Sequence, residues 1–167
     1  MLKWFNAFAF CLIIPIALQA QKKSAALTPA DYDEIQNLYA RYTHAFDGGD
    51  GQALANVYTL DGSFSVAGKV VAEGREKLAA QPRKPSPDRP HTRHLNANIA
   101  IEASAEGARG QAYVFITTVE QGKPIVVSNG GVYDDVIVKT ADGWRFKRRS
   151  FTPWTPLQAA TPARSTP

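Results

Sequence analysis

Between residues 93 and 151 the chain reads as four long β-stretches, 93–102, 111–120, 125–139 and 143–151, and this run narrows the possible folds more than any other feature. Turn residues separate the stretches at Glu106-Gly107, at Gln121-Gly122-Lys123-Pro124 and at Ala141-Asp142-Gly143. Such short links join antiparallel neighbours, because a parallel pair needs a crossover of about a dozen residues or more. A sheet built this way has a face to bury, and the chain before residue 93 must supply the cover.

That earlier part reads as mainly helical. Thr28-Pro29-Ala30-Asp31 opens a helix with a capping threonine, a proline at the first helical position, and acidic residues Asp31, Asp33 and Glu34 in the first turns. Ile35, Leu38, Tyr39, Tyr42 and Phe46 recur at helical spacing and make one apolar face, which Gly48-Gly49 ends. Asp50 caps a short second helix over 52–58, and 75–81 reads as a third. Between them 62–66 and 69–72 form two short strands around Ala67-Gly68, and 82–90 is a proline-rich loop. Helices first and long strands after predict an α+β domain over 28–154, with three N-terminal helices covering one face of a curved antiparallel sheet.

Residues 1–20 read as a secretory signal: Lys3, an apolar run from Ala7 to Leu18 interrupted by Pro15, then Gln19-Ala20 before the polar Gln21-Lys22-Lys23. The run is shorter than the roughly 20 apolar residues of a membrane span. Cleavage after Ala20 is expected, giving a periplasmic or secreted product without a stable membrane anchor. Cys11, the single cysteine, leaves with the signal, which removes disulfides, thiol catalysis and thiolate metal sites from consideration. Residues 155–167, rich in Pro, Ala and Thr, are expected to be disordered. The formal net charge is +4, but Lys and Arg gather in two places, 83–93 and 145–149, and in an exported chain this argues against nucleic acid as a partner.

Two titratable residues occupy settings that do not favour them. Asp47 falls in the last turn of the first helix, where the negative end of the macrodipole raises a carboxylate's energy. His94 opens a strand whose alternation puts His94, Asn96, Asn98 and Ala100 on one face and Leu95, Ala97, Ile99 and Ile101 on the other. If the fold joins Asp47 to His94, the carboxylate orients and charge-stabilises the imidazole, making an acid/base unit able to move a proton near neutral pH. The alternatives are that Asp47 begins a glycine-rich turn and that the polar column of His94 is wetted on a convex face.

Tyr42, on the apolar helix face, is either a core tyrosine or a donor to a substrate oxygen. His44 and His91 are expected at the surface. Tyr133 and Asp135 share one face after Gly130-Gly131, a place for a bulge or a close approach, and they suit ligand contact or packing equally. Trp144 and Phe146 read as core or interface anchors. Arg148 and Arg149 point to opposite faces, so one of them can reach the cavity mouth and bind an acidic group. No compact His/Asp/Glu cluster offers a metal site.

Taken in order, these segments resemble the nuclear transport factor two-like superfamily, and within it the SnoaL-like branch that also holds scytalone dehydratase and bacterial bile acid 7α-dehydratase. The resemblance spans 31–151. It is carried by 34–42 leading to Asp47-Gly48-Gly49-Asp50, by Asp61-Gly62-Ser63-Phe64, by Arg93-His94 with Asn98, by Gly131-Val132-Tyr133-Asp134-Asp135 and by Asp142-Gly143-Trp144-Arg145-Phe146. It implies a cone-shaped sheet with the helices on its concave face, and assembly as a dimer or trimer. Asp47 and His94 match the helix-end aspartate and strand histidine of the dehydratases, and Tyr42 matches a helix tyrosine of bile acid dehydratase. Val66 departs from the pattern, standing where dehydratases carry a tyrosine and ketosteroid isomerases their aspartate base. Phe46 replaces a tyrosine of scytalone dehydratase.

The activity implied is a cofactor-independent dehydratase without metal, acting on a small hydroxylated, largely apolar cyclic compound. Asp47, His94 and Tyr42 would be the catalytic group, with Asn98, Tyr133, Phe46, Val66 and Arg149 around the ligand. A non-catalytic domain that binds a small hydrophobic ligand, and a ketosteroid-isomerase-like isomerase, are the alternatives.

Overall fold

The structure, a computed structural model, describes residues 26–86 and 91–154. The expected signal at 1–20 and the expected tail at 155–167 lie outside the described residues. Helix α1 (Pro29–Gly48) starts at its capping signal. Thr28 Oγ1 accepts from the Asp31 N–H at 3.2 Å while the Asp31 carboxylate accepts from the Thr28 N–H at 2.9 Å, a reciprocal capping box that fixes the start of the helix. Gly49 ends the helix at φ 73°, a conformation that costs a residue with a Cβ roughly 1–2 kcal/mol. Asp50 accepts from the Ala53 N–H and starts α2 (Gly51–Asn56). The hairpin β1 (Tyr58–Val66) and β2 (Lys69–Glu73) follows, then α3 (Arg75–Ala79). Four long strands complete the domain: β3 (His91–Ser104), β4 (Gly107–Val119), β5 (Val126–Thr140) and β6 (Gly143–Pro153). Among the described residues no helix is long and apolar enough to cross a membrane.

All six strands join one curved, unclosed sheet in the order β2-β1-β6-β5-β4-β3. The β3–β6 meander is antiparallel, as expected. β1, however, runs parallel to β6, so the sheet is mixed rather than antiparallel throughout. The chain between those two strands includes α3 and the meander, and no tight turn dictates their relative direction. Register shifts at Ala97/Ala100, Ile116/Thr117 and Val136/Ile137 interrupt the long ladders, and each bends its strand and adds curvature.

The core lies between α1 and the inner face of the sheet. Ile35, Leu38, Tyr39, Tyr42 and Ala45 are buried along one stripe of the helix against Ala112, Val114, Tyr133, Ile137, Phe146 and Phe151. One row of this face carries charge. Gly110, Asp135 and Arg149 sit opposite one another on β4, β5 and β6. Arg149 Nε and Nη2 donate to the two Asp135 oxygens at 2.9 and 2.8 Å, and the Tyr39 hydroxyl donates to Asp135 Oδ2 at 2.6 Å. The guanidinium carbon is between 3.9 and 4.8 Å from the ring centres of Phe146, Tyr42, Tyr133 and Tyr39, the range of cation–π attraction. A Cβ at Gly110 would collide with the Tyr39 hydroxyl, so glycine there lets α1 reach Asp135. Burial works most strongly against the charge on Arg149, but the charge and hydrogen bonds of Asp135, together with Tyr39 and Tyr58, hold the guanidinium's pKa well above its usual value.

The start of α1 is anchored separately. Asp31 accepts from Lys139 Nζ at 2.7 Å and from the Trp144 indole N–H at 3.0 Å. Lys139 first, then Thr28 and Trp144, hold its carboxyl far below the usual value of 3.8. A lowered folded-state pKa gives stabilisation that is complete above the unfolded-state value of about 4 and is lost as pH falls through the folded-state value. The urea midpoint of the wild type is therefore expected to drop as pH falls below about 4. Asp31→Asn should lower the midpoint at neutral pH and flatten that drop; parallel acid profiles for the two proteins would refute the assignment.

Candidate active site

Asp47 is the penultimate residue of α1 and His94 lies near the start of β3, the edge strand against which the helix packs. The two meet. Asp47 Oδ1 is 2.5 Å from His94 Nδ1, and Asp47 Oδ2 accepts from the His94 backbone N–H at 2.8 Å. Both side chains are more than nine-tenths buried. One carboxylate thus fixes the strand and the ring together, and with Nδ1–H directed at Asp47 the opposite nitrogen, Nε2, is free to accept a proton. The helix end tolerates the carboxylate because these two donors meet it and because Arg93 Nη1 approaches the Asp47 carbonyl at 3.5 Å, offsetting the negative end of the helix.

Phe46 and Asn96 complete the immediate surroundings. The Phe46 ring stands edge-on to the His94 ring at 5.1 Å between centroids. Asn96, two residues along β3 on the same face, donates from Nδ2 to Thr43 Oγ1 at 2.8 Å. Its Oδ1 is buried and without a partner among the described residues. Asn96 thus shares the face of His94, as the alternation predicts, although it was not among the expected ligand contacts.

The expected column then breaks. Asn98 takes φ 51° at the register shift between Ala97 and Ala100, which inserts a residue and resets the alternation. Ile99 and Ile101 turn toward the core in place of Asn98 and Ala100, and Asn98 is exposed. It is not brought to the pair.

Other expected residues lie deeper. Tyr42 is buried, stacks on Phe46 at 5.9 Å, and so sits one ring behind His94. Burial raises its pKa, keeping the hydroxyl protonated. Tyr133 is a buried core residue packed on Tyr42 and Phe151. The glycines before it mark a close approach rather than a bulge, since Cβ atoms there would strike the Trp154 and Phe151 rings. Val66, half-buried, closes β1 beside Phe151. Arg149 does not reach a cavity mouth: its side chain is sealed in the core by Asp135, while Arg148 is exposed and paired with Glu106 at 2.8 Å.

Two pockets flank the pair. One of about 600 Å³ is bordered by Asp47, His94, Thr43, Leu95, Val119 and Ile125. The other, about 330 Å³, is bordered by Phe46, Asp47, Gln81, Arg83, His91 and Thr92, with Lys84 beside them. Their volumes fall in the lower half of the small-molecule range. His44 is exposed as expected, but His91 is half-buried in the second pocket's wall, because β3 begins at His91 and takes it out of the loop. Among the described residues no group of three or more His, Cys, Asp or Glu side chains could hold a metal ion.

A family model described as a SnoaL-like domain matches residues 28–150. A protein of unknown function from Mycobacterium tuberculosis is similar at 26% identity and TM-score 0.66, covering 78% of this chain and 80% of that one. A nuclear transport factor two-like protein with a cystatin-like fold, from Novosphingobium aromaticivorans, is 24% identical with TM-score 0.66, covering 78% and 85%. A Catenulispora acidiphila protein solved in complex with S-DNPA is 26% identical with TM-score 0.64, covering 75% and 95%. Among curated proteins nothing matches. The fold these comparisons share is generally one that binds or transforms small molecules.

Proposed function

This chain belongs to the SnoaL-like domain family, and from that premise we propose that it is a cofactor-independent lyase that removes water from a small hydroxylated, largely apolar cyclic compound beside a carbonyl. The observation that carries the reading is the double grip of Asp47 on His94, which leaves a single ring nitrogen for chemistry. His94 Nε2 takes the proton next to the carbonyl as the C–H bond breaks, and Asp47 stabilises the imidazolium that forms. The imidazolium then protonates the departing hydroxyl. The C–O bond breaks, a C=C bond remains, water leaves, and the neutral imidazole is restored.

Tyr42 supports this arrangement from behind Phe46 and does not border either pocket beside the pair. That placement favours a second reading, a binding domain without turnover, because the phenol expected to polarise a carbonyl is held in the core. Incubation with a panel of hydroxylated cyclic ketones and phenols, each with and without a carboxylate, separates the two. The lyase reading expects a product lighter by one water with a new conjugated absorbance; tight ligands that are never converted would replace it with the binding reading.

We further propose that the protein works as a homodimer or homotrimer through the outer face of the sheet. There Leu95, Tyr113 and Trp154 are about half exposed, and Trp154 stands edge-on to Tyr113 and Phe115, an apolar patch of the kind that marks an interface. Tyr113→Glu should shift the wild-type oligomer to monomer in sedimentation velocity. A wild type that sediments as a monomer at its highest soluble concentration would end the proposal.

A further inference from the structure

The 330 Å³ pocket differs in charge from the rest of the site. Arg83, Lys84 and His91 stand in its wall, and the one acid there, Asp47, already directs both oxygens at His94. Arg83 is exposed and forms no ion pair among the described residues. His91 Nδ1 is buried in the same wall with no hydrogen-bond partner among the described residues. The segment that bears the cations is held close: a Cβ at Gly49, itself at φ 73°, would collide with the backbone of Arg83 and Lys84. The loop is therefore packed on the end of α1, two residues from Asp47. Asp47 borders both this pocket and the larger one that His94 lines, and Phe46 in this pocket's wall is 5.1 Å from His94 between ring centres, so the anion-binding wall adjoins the reacting imidazole.

Resting on the lyase reading above, we propose that this pocket receives a carboxylate carried by the compound that reacts at His94, so that the substrate is a hydroxylated cyclic acid and not a neutral ketone or phenol. A guanidinium suits the task because its planar donors match the two oxygens of a carboxylate. Arg83 is the principal partner, and His91, whose buried Nδ1 has no other partner among the described residues, adds a second donor. The cations also oppose the negative end of α1, but that role alone would give no preference among ligands.

The test compares naphthoate with naphthamide, a pair of nearly equal shape that differs in charge, by calorimetric titration of the full chain. Naphthoate is expected to bind at least about tenfold more tightly, with a preference that shrinks as salt is added. Arg83→Gln should erase the preference and leave naphthamide binding unchanged, whereas Arg83→Lys should keep part of it. Equal affinities in the wild type, no binding of naphthoate at millimolar concentration, or a preference that survives Arg83→Gln would each overturn the proposal. His94→Ala should retain the naphthoate preference, which separates the two readings. If the preference depends on Arg83 but no hydroxy acid is ever dehydrated, the lyase reading fails and the anion site stands; if only uncharged compounds are dehydrated and the acid is not preferred, the reverse holds.

Discussion

His94→Ala is expected to lower the dehydration rate by about 10²- to 10⁴-fold, the usual contribution of a positioned general acid/base, while ligand affinity stays within about tenfold, or about 1.4 kcal/mol. The split follows from the geometry. The ring acts through one nitrogen on a proton that moves only in the reaction, whereas binding draws on the apolar walls of the pockets. Asp47→Asn is the sharper variant. Both carboxylate oxygens accept from donors on His94, one from the backbone and one from the ring. An amide has one acceptor and one donor group, so one contact becomes donor against donor. The ring escapes by moving its proton to Nε2, which removes the base from the substrate side. kcat should therefore fall in Asp47→Asn with KM little changed and the fold intact. Dehydration that survives both substitutions would place the chemistry elsewhere in the molecule.

Asp135→Ala is expected to cost about 3–5 kcal/mol of folding stability, the usual penalty for leaving one member of a buried ion pair without its partner. Arg149 has no route to water, since its side chain and that of Asp135 are both fully buried. Nη1 is already without a hydrogen-bond partner among the described residues, and Tyr39 would lose its acceptor as well. Replacing both members, Asp135→Leu with Arg149→Met, should recover much of the loss, because an apolar pair of similar size removes the desolvation penalty along with the attraction. Urea denaturation of the single and double variants measures both effects. A single-variant loss under about 1 kcal/mol would show that the guanidinium relaxes out of the core.

Helices and strands were legible because their signals are local. The Thr28–Asp31 capping box, the stripe from Ile35 to Phe46 and the Gly48-Gly49 stop give α1 its observed limits, and the turns at Gly107, Gly122 and Gly143 all have positive φ. The partnership of Asp47 and His94 was also in reach, since a carboxylate at the negative end of a helix needs a compensating donor. What local pattern could not give was register. One extra residue at Asn98 turned Ile99 and Ile101 inward and put Asn98 outside, and nothing in an alternating sequence marks where the count slips.

Arg149 shows the same limit from the other side. Alternation established that Arg148 and Arg149 face opposite ways, but which face held Asp135 depended on how β5 and β6 were aligned. Once aligned, the pair closed under Tyr39 and became part of the core, while Arg83, in a loop with no periodicity, came to the site through the packing of Gly49 against its backbone. The sequence by itself determined the elements, their order and the helix-end carboxylate, because capping, period and turn chemistry act within a few residues. Only the tertiary structure decided which side chains share the site, because that choice rests on contacts between segments far apart in the chain, where a shift of one residue exchanges the inside of a sheet for its outside.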